Sequence, residues 1–174
     1  NVTCLSLRTE AEGGNGVVGG GDFRCSITAT VDVSGGVGIR AGTSTVFRFT
    51  GAAGVQLTVL GNVKAGSAND ARGIQHTGAG NLVVTGDVAS GAAYSTHGID
   101  VATGSASITG NVTGGSHSVA YGVNNNSGSV TITGDVFNGT GYGVWNDTGT
   151  VTIYGSAKPN PANPLGNHVL YHNS

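Results

Sequence analysis

Between residues 57 and 157 the chain repeats one short pattern of apolar and polar positions around a glycine. Five segments carry it: LTVLGNV (57–63), LVVTGDV (82–88), ASITGNV (106–112), VTITGDV (130–136) and VTIYGSA (151–157). Four residues before the aligned glycine stand Leu57, Leu82, Ala106, Val130 and Val151. Two before it stand Val59, Val84, Ile108, Ile132 and Ile153, and two after it Val63, Val88, Val112, Val136 and Ala157. Even offsets share one face of an extended chain. These positions therefore predict an inward face, with Thr58, Ser107, Thr131 and Thr152 pointing outward between them. Alternation of this kind, with β-branched residues on both faces, is a strand pattern.

The aligned glycines, Gly61, Gly86, Gly110, Gly134 and Gly155, are spaced by 25, 24, 24 and 21 residues. A second block follows the same spacing: Arg72-Gly73-Ile74, His97-Gly98-Ile99, Tyr121-Gly122-Val123 and Tyr142-Gly143-Val144. Two blocks that lengthen and shorten together are one structural unit. A unit of 24 residues with short strands and glycine corners predicts an all-β, parallel β-helix, that is, a β-solenoid. Stacked coils bury aliphatics that one coil cannot bury alone. An antiparallel sandwich explains the short strands but not the shared spacing. Asn62, Asp87, Asn111 and Asp135 follow the aligned glycine, and as corner residues they are expected to bond to their own backbone. The solenoid is expected over 26–157, with residues 26–51 as degenerate first coils. A non-repeating segment precedes it (1–25, a cap or assembly segment). Another follows it (158–174, a proline-rich linker and a strand-like tail).

Composition agrees and excludes alternatives. Glycine supplies 33 of 174 residues and charged residues only 9%, against about 7% and about 25% in average globular chains. Helix formers are scarce, which excludes a helical bundle. Glycine lacks the three-residue period of collagen. The net charge of −2, with scattered Lys and Arg, gives no footprint for nucleic acid. No apolar run approaches a membrane span.

The chain opens on Asn1, so proteolytic processing by a signal peptidase is expected. The two cysteines, Cys4 and Cys25, form an even pair that fits an oxidising compartment and a disulfide. Such a loop closure would stabilise the fold by roughly 3 kcal/mol. Asn-x-Ser/Thr triplets occur at Asn1, Asn111, Asn125, Asn138 and Asn146. A chain so rich in Asn, Ser and Thr makes such triplets by chance, so they carry no glycosylation signal.

No reactive motif is present. Nucleophile elbow, phosphate loop and dinucleotide fingerprint are all missing. His168 and His172 are four residues apart outside any helical pattern, and the single Gly-rich stretch ending at Asp22 does not recur as a calcium repeat would. Asp87 and Asp135 share a column two coils apart, near the separation of a glycosidase pair. The column is a turn where Asp and Asn alternate, so no catalytic residue, cofactor or metal is assigned and the chain is read as a non-enzyme. Outward aromatics are the remaining candidates. Tyr121 and Tyr142 share a column with Arg72 and His97, and Trp145 and Tyr154 are expected nearby, as a contact surface, a platform for sugar stacking or a shield over the core edge.

The repeat, with its Gly-Asp-Val and Tyr-Gly-Val blocks, resembles the glycine-rich β-solenoid repeats of microbial surface proteins. Those include bacterial adhesins, secreted filament-forming proteins and bacteriophage fibres or spikes. The resemblance covers residues 57–157, and no functional residue carries over from it. It implies a structural or adhesive role outside the cell. The expected function is an extracellular, non-enzymatic subunit of a surface filament or adhesive structure, with itself as main partner and a cell-surface or polysaccharide ligand as a further one. A phage fibre, spike or capsid decoration in a virion and a carbohydrate-binding module are the alternatives. Assembly is expected through the terminal strands, Val2, Leu5 and Leu7 at one end and Val169, Leu170 and Tyr171 at the other. Such strands can add to a neighbour's open edge.

Overall fold

The structure is a computed structural model that describes residues 31–34, 39–40, 47–49, 53–54, 56–66, 69–160 and 169–172. Within them the chain is an all-β solenoid, each coil giving one strand to each of three parallel sheets. The first sheet stacks β1 (Val31–Ser34), β4 (Gln56–Leu60), β7 (Asn81–Thr85), β10 (Ser105–Thr109), β13 (Ser129–Ile132) and β16 (Thr150–Ile153). The second, of two-residue strands, stacks β2 (Ile39–Arg40), β5 (Val63–Lys64), β8 (Val88–Ala89), β11 (Val112–Thr113), β14 (Val136–Phe137) and β17 (Ala157–Lys158). The third stacks β3 (Phe47–Phe49), β6 (Arg72–His76), β9 (His97–Val101), β12 (Tyr121–Asn125), β15 (Val144–Asn146) and β18 (Leu170–His172).

The register is the one the sequence columns predict. Val84 pairs with Ile108, Ile108 with Ile132 and Ile132 with Ile153. Ile74, Ile99, Val123 and Val144 align on the third sheet. All of these but Ile153 are at most 1% exposed and form one core cluster. Burying each such side chain is worth about 1.5–3 kcal/mol. Identical positions lie one strand spacing apart, so the core is a set of aliphatic stacks.

The aligned glycine is required by the coil beneath it. A Cβ on Gly110 would stand 2.2 Å from Gly86 O, and one on Gly134 would stand 2.1 Å from Gly110 O. Corner backbones meet too closely there for any side chain.

The residue after that glycine behaves differently from expectation. Its side chain does not turn back to its own backbone. Asn62 Oδ1 accepts the Asp87 N–H (2.8 Å), Asp87 Oδ1 the Asn111 N–H (2.8 Å), Asn111 Oδ1 the Asp135 N–H (2.9 Å) and Asp135 Oδ1 the Ser156 N–H (2.8 Å). The corner is thus stitched from coil to coil. Asn and Asp alternate because each supplies the same acceptor oxygen.

The tail also has a more definite place than its sequence indicates. β18 pairs with β15 of its own chain, Leu170 with Val144, Tyr171 with Trp145 and His172 with Asn146. It forms the sixth strand of the third sheet and completes the last coil with β16 and β17.

Candidate functional site

The outer face of the third sheet gathers most of the predicted surface residues. Strand stacking sets Arg72, His97 and Tyr121 in register, and on the adjoining outward column Gln75, Asp100, Asn124, Trp145 and Tyr171. The strand repeat of ~4.8 Å is close to the spacing of stacked rings. His97 stacks on Tyr121 (4.9 Å between centroids, 13° between planes), Tyr121 on Trp145 (5.1 Å, 8°) and Trp145 on Tyr171 (3.8 Å, 11°). Tyr142 sets its edge against this stack, 5.4 Å from Trp145 at 66° and 5.9 Å from Tyr121 at 60°.

Of the four predicted aromatics, Tyr121, Tyr142 and Trp145 meet. Tyr154 does not join them. It follows β16 on the first sheet and is 74% exposed. Two further ring members are His97 and Tyr171. His97 was legible, since it aligns with Tyr121 in the repeat. Tyr171 was not, because the tail carries no copy of the repeat to fix its register.

Stacking decides what these rings can do. A sugar needs an open ring face. Within the stack both faces of Tyr121 and Trp145 are covered by neighbouring rings, Tyr121 is only 9% exposed and His97 4%, and the far face of Tyr171 has no ring on it among the described residues. The arrangement works as a ladder that ties four coils together along the outer face.

Beside the ladder lies a network of charges and amides. Arg72 Nε donates to Asp100 Oδ2 at 2.9 Å, while Asp100 Oδ1 accepts from Asn124 Nδ2 (3.0 Å) and Asn126 Nδ2 (3.1 Å). Arg72 Nη1 also donates to Asp70 O and Ser95 O. Burial, then the neighbouring Arg72 guanidinium, push the His97 imidazole from 6.5 down to about 4, with Asp100 opposing. Burial, reinforced by Tyr142, raises the Tyr121 phenol. Lys158 donates to Asp135 Oδ2, which with the Ser156 N–H holds that carboxyl below its usual range. Asp87, Asp100 and Asp135 are therefore all engaged in bonds that hold coils together.

Among the described residues no three His, Cys, Asp or Glu side chains gather as a metal site would need. His172 Nδ1 accepts from Asn146 Nδ2 at 2.7 Å. No helix of the described residues is long and apolar enough to cross a membrane. Cys4, Cys25, Val2, Leu5, Leu7 and His168 lie outside the described residues.

The last coil is the second notable surface. Inner coils keep their columns sealed, but Val151 and Ile153 are half-buried and Ala157 is exposed. Leu170 continues the inward column of Val144 and is 42% exposed. Val169 packs half-buried against the core, and Tyr171 joins the outer rings. Among the described residues β16, β17 and β18 end their sheets, each paired along one edge. No protein-family model matches the chain, and comparison with curated proteins and with solved structures gave no match.

Proposed function

We propose that this protein is a non-enzymatic structural subunit that assembles end to end into an extracellular filament, fibre or adhesive structure. The observation that carries the reading is the open last coil. Val151, Ile153, Ala157 and Leu170 present a section of the aliphatic core that every inner coil covers with its successor. Monomeric proteins blunt such edges with charge, proline or a covering element. Lys158 is the one charged residue between Thr150 and Lys158. A head-to-tail contact that does not close generates a filament. The resemblance to microbial surface repeats supports a place outside the cell, and it fits a phage fibre or spike as a second setting for the same assembly.

The covered faces of Tyr121 and Trp145 weigh against a sugar-stacking strip along the whole ladder. The donor at the joint would be segment 2–7 of the next copy, which the sequence pattern predicts to be extended, since the tail strand is already paired within its own chain. The test is sedimentation velocity with electron microscopy on the intact chain, on a variant lacking residues 1–8, and on Leu170→Lys. The intact chain is expected to form end-to-end oligomers, and both variants to stay folded and monomeric. An intact chain that remains monomeric at high concentration, or variants that assemble normally, would make a carbohydrate-binding module the better reading.

A further inference from the structure

Four Asn-x-Ser/Thr triplets lie among the described residues, at Asn111, Asn125, Asn138 and Asn146, and the solenoid places them in opposite surroundings. Three are inside: Asn125 is 0% exposed, Asn138 2% and Asn146 3%. Asn125 Nδ2 donates to Gly128 O at 3.1 Å and to Asn146 Oδ1 at 2.6 Å. Asn146 Nδ2 donates to Gly149 O at 2.8 Å and to His172 Nδ1 at 2.7 Å. Asn138 Oδ1 accepts the Asn160 N–H at 2.6 Å. Asn111 is exposed. The corner ladder engages its Oδ1 and makes no use of its Nδ2.

N-glycosylation acts on that nitrogen. The amide Nδ2 attacks the anomeric carbon of a polyprenyl-diphosphate oligosaccharide. A C–N bond forms as the C–O bond to the diphosphate breaks, and the lipid diphosphate and one amide proton leave. On Asn125 or Asn146 the sugar would have to enter between coils ~4.8 Å apart. It would also take one of the two protons from an Nδ2 that donates two bonds on Asn125 or Asn146, leaving an acceptor such as Asn146 Oδ1 or Gly149 O without that donor, which is costly without a replacement partner. We infer that the folded protein offers one glycan acceptor among these four, Asn111, and that a glycan at Asn125, Asn138 or Asn146 is incompatible with the solenoid. An enzyme that modifies the nascent chain meets all four before the coils close. The sequence therefore reaches this fold only where such transfer does not come first. This holds whether or not the protein forms filaments.

The test uses the full chain from a host without N-glycosylation, a purified oligosaccharyltransferase and a lipid-linked oligosaccharide. Occupancy is read site by site by mass spectrometry of peptides. The folded chain should be modified at Asn111 and not at the other three, and Thr113→Ala should abolish that modification. A second arm passes the chain through a eukaryotic secretory pathway beside a variant carrying Ser127→Ala, Thr140→Ala and Thr148→Ala, which keeps every asparagine. The variant should emerge protease-resistant, and the unaltered chain should be glycosylated inside and retained. A protease-resistant chain bearing a glycan at Asn125, Asn138 or Asn146 overturns the inference, as does a folded chain left unmodified at Asn111. Equal secretion of both chains in folded form also overturns it.

Discussion

Two columns of the same solenoid obey different rules. On the first sheet Val59, Val84, Ile108, Ile132 and Ile153 form an unbroken aliphatic stack. On the third sheet one inward column runs Phe49, His76, Val101, Asn125, Asn146 and His172. His76 and Asn125 are as fully buried as Ile132. The difference is the distance to a turn. The third-sheet column lies beside the bend that follows its strand, where Gly80 O accepts from His76 Nε2 at 3.0 Å and Gly128 O from Asn125 Nδ2 at 3.1 Å. The Gly128 N–H returns a bond to Asn125 Oδ1 at 3.0 Å. Mid-sheet backbone groups are already committed to the ladders, so a polar side chain there would find no partner. Depth of burial does not decide polarity in this protein; the reach of a turn carbonyl does, since Gly80 O and Gly128 O each accept a side-chain bond besides the backbone N–H of Ser105 or Thr150.

The aliphatic column is most vulnerable at Ile132. Ile132→Asp buries a charge with no partner, which costs several kcal/mol against a total stability of about 5–15 kcal/mol. Circular dichroism and a thermal melt should show an unfolded chain, and a cooperative melt near that of the unaltered protein would sink the register.

A second test exploits the imidazoles. Burial lowers the His76 pKa and, with Arg72, takes that of His97 to about 4. Both are depressed below the unfolded value of 6.5, so the unfolded chain binds more protons as pH falls. Their contribution is constant above about 6.5 and is lost below it, on the order of 3 kcal/mol for His97 by pH 4. Urea midpoints at several pH values should fall across this window. The fall should shrink in His97→Phe, which keeps a ring on Tyr121; an unchanged slope in that variant would remove His97 from the account.

Asn125→Val puts into the corner column the residue that Val101 already supplies one coil earlier. It deprives Gly128 N–H and Asn146 Oδ1 of partners and Gly128 O of its second donor, the Thr150 N–H remaining, and a loss of about 1–3 kcal/mol is expected. A gain in the urea midpoint would contradict the carbonyl-reach rule. The mildest change is Asp87→Asn in the outer corner ladder, where only Oδ1 is used. Its effect should stay within about 0.5 kcal/mol, and a larger shift in the midpoint would mean that the charge itself matters there.

The coil is legible in the chain's own periodicity. Its 24-residue spacing, the even-offset aliphatics and the close-approach glycines all express local periodicity, and stacking identical units turns periodicity directly into register. The Asp and Asn after each glycine were legible as corner residues, but not as links to the next coil, because both arrangements use the same residue types. Tertiary structure alone decided what depends on neighbours without a repeat. Tyr171 enters the ring ladder only because β18 lands on β15, and the intervening prolines hide that spacing. Asn125 and Asn146 look like turn residues in the sequence and become buried links only when Gly128 O and Gly149 O come within reach. A side chain's place in the strand is written in the period, whereas its partner is written in the fold of the coil above or below.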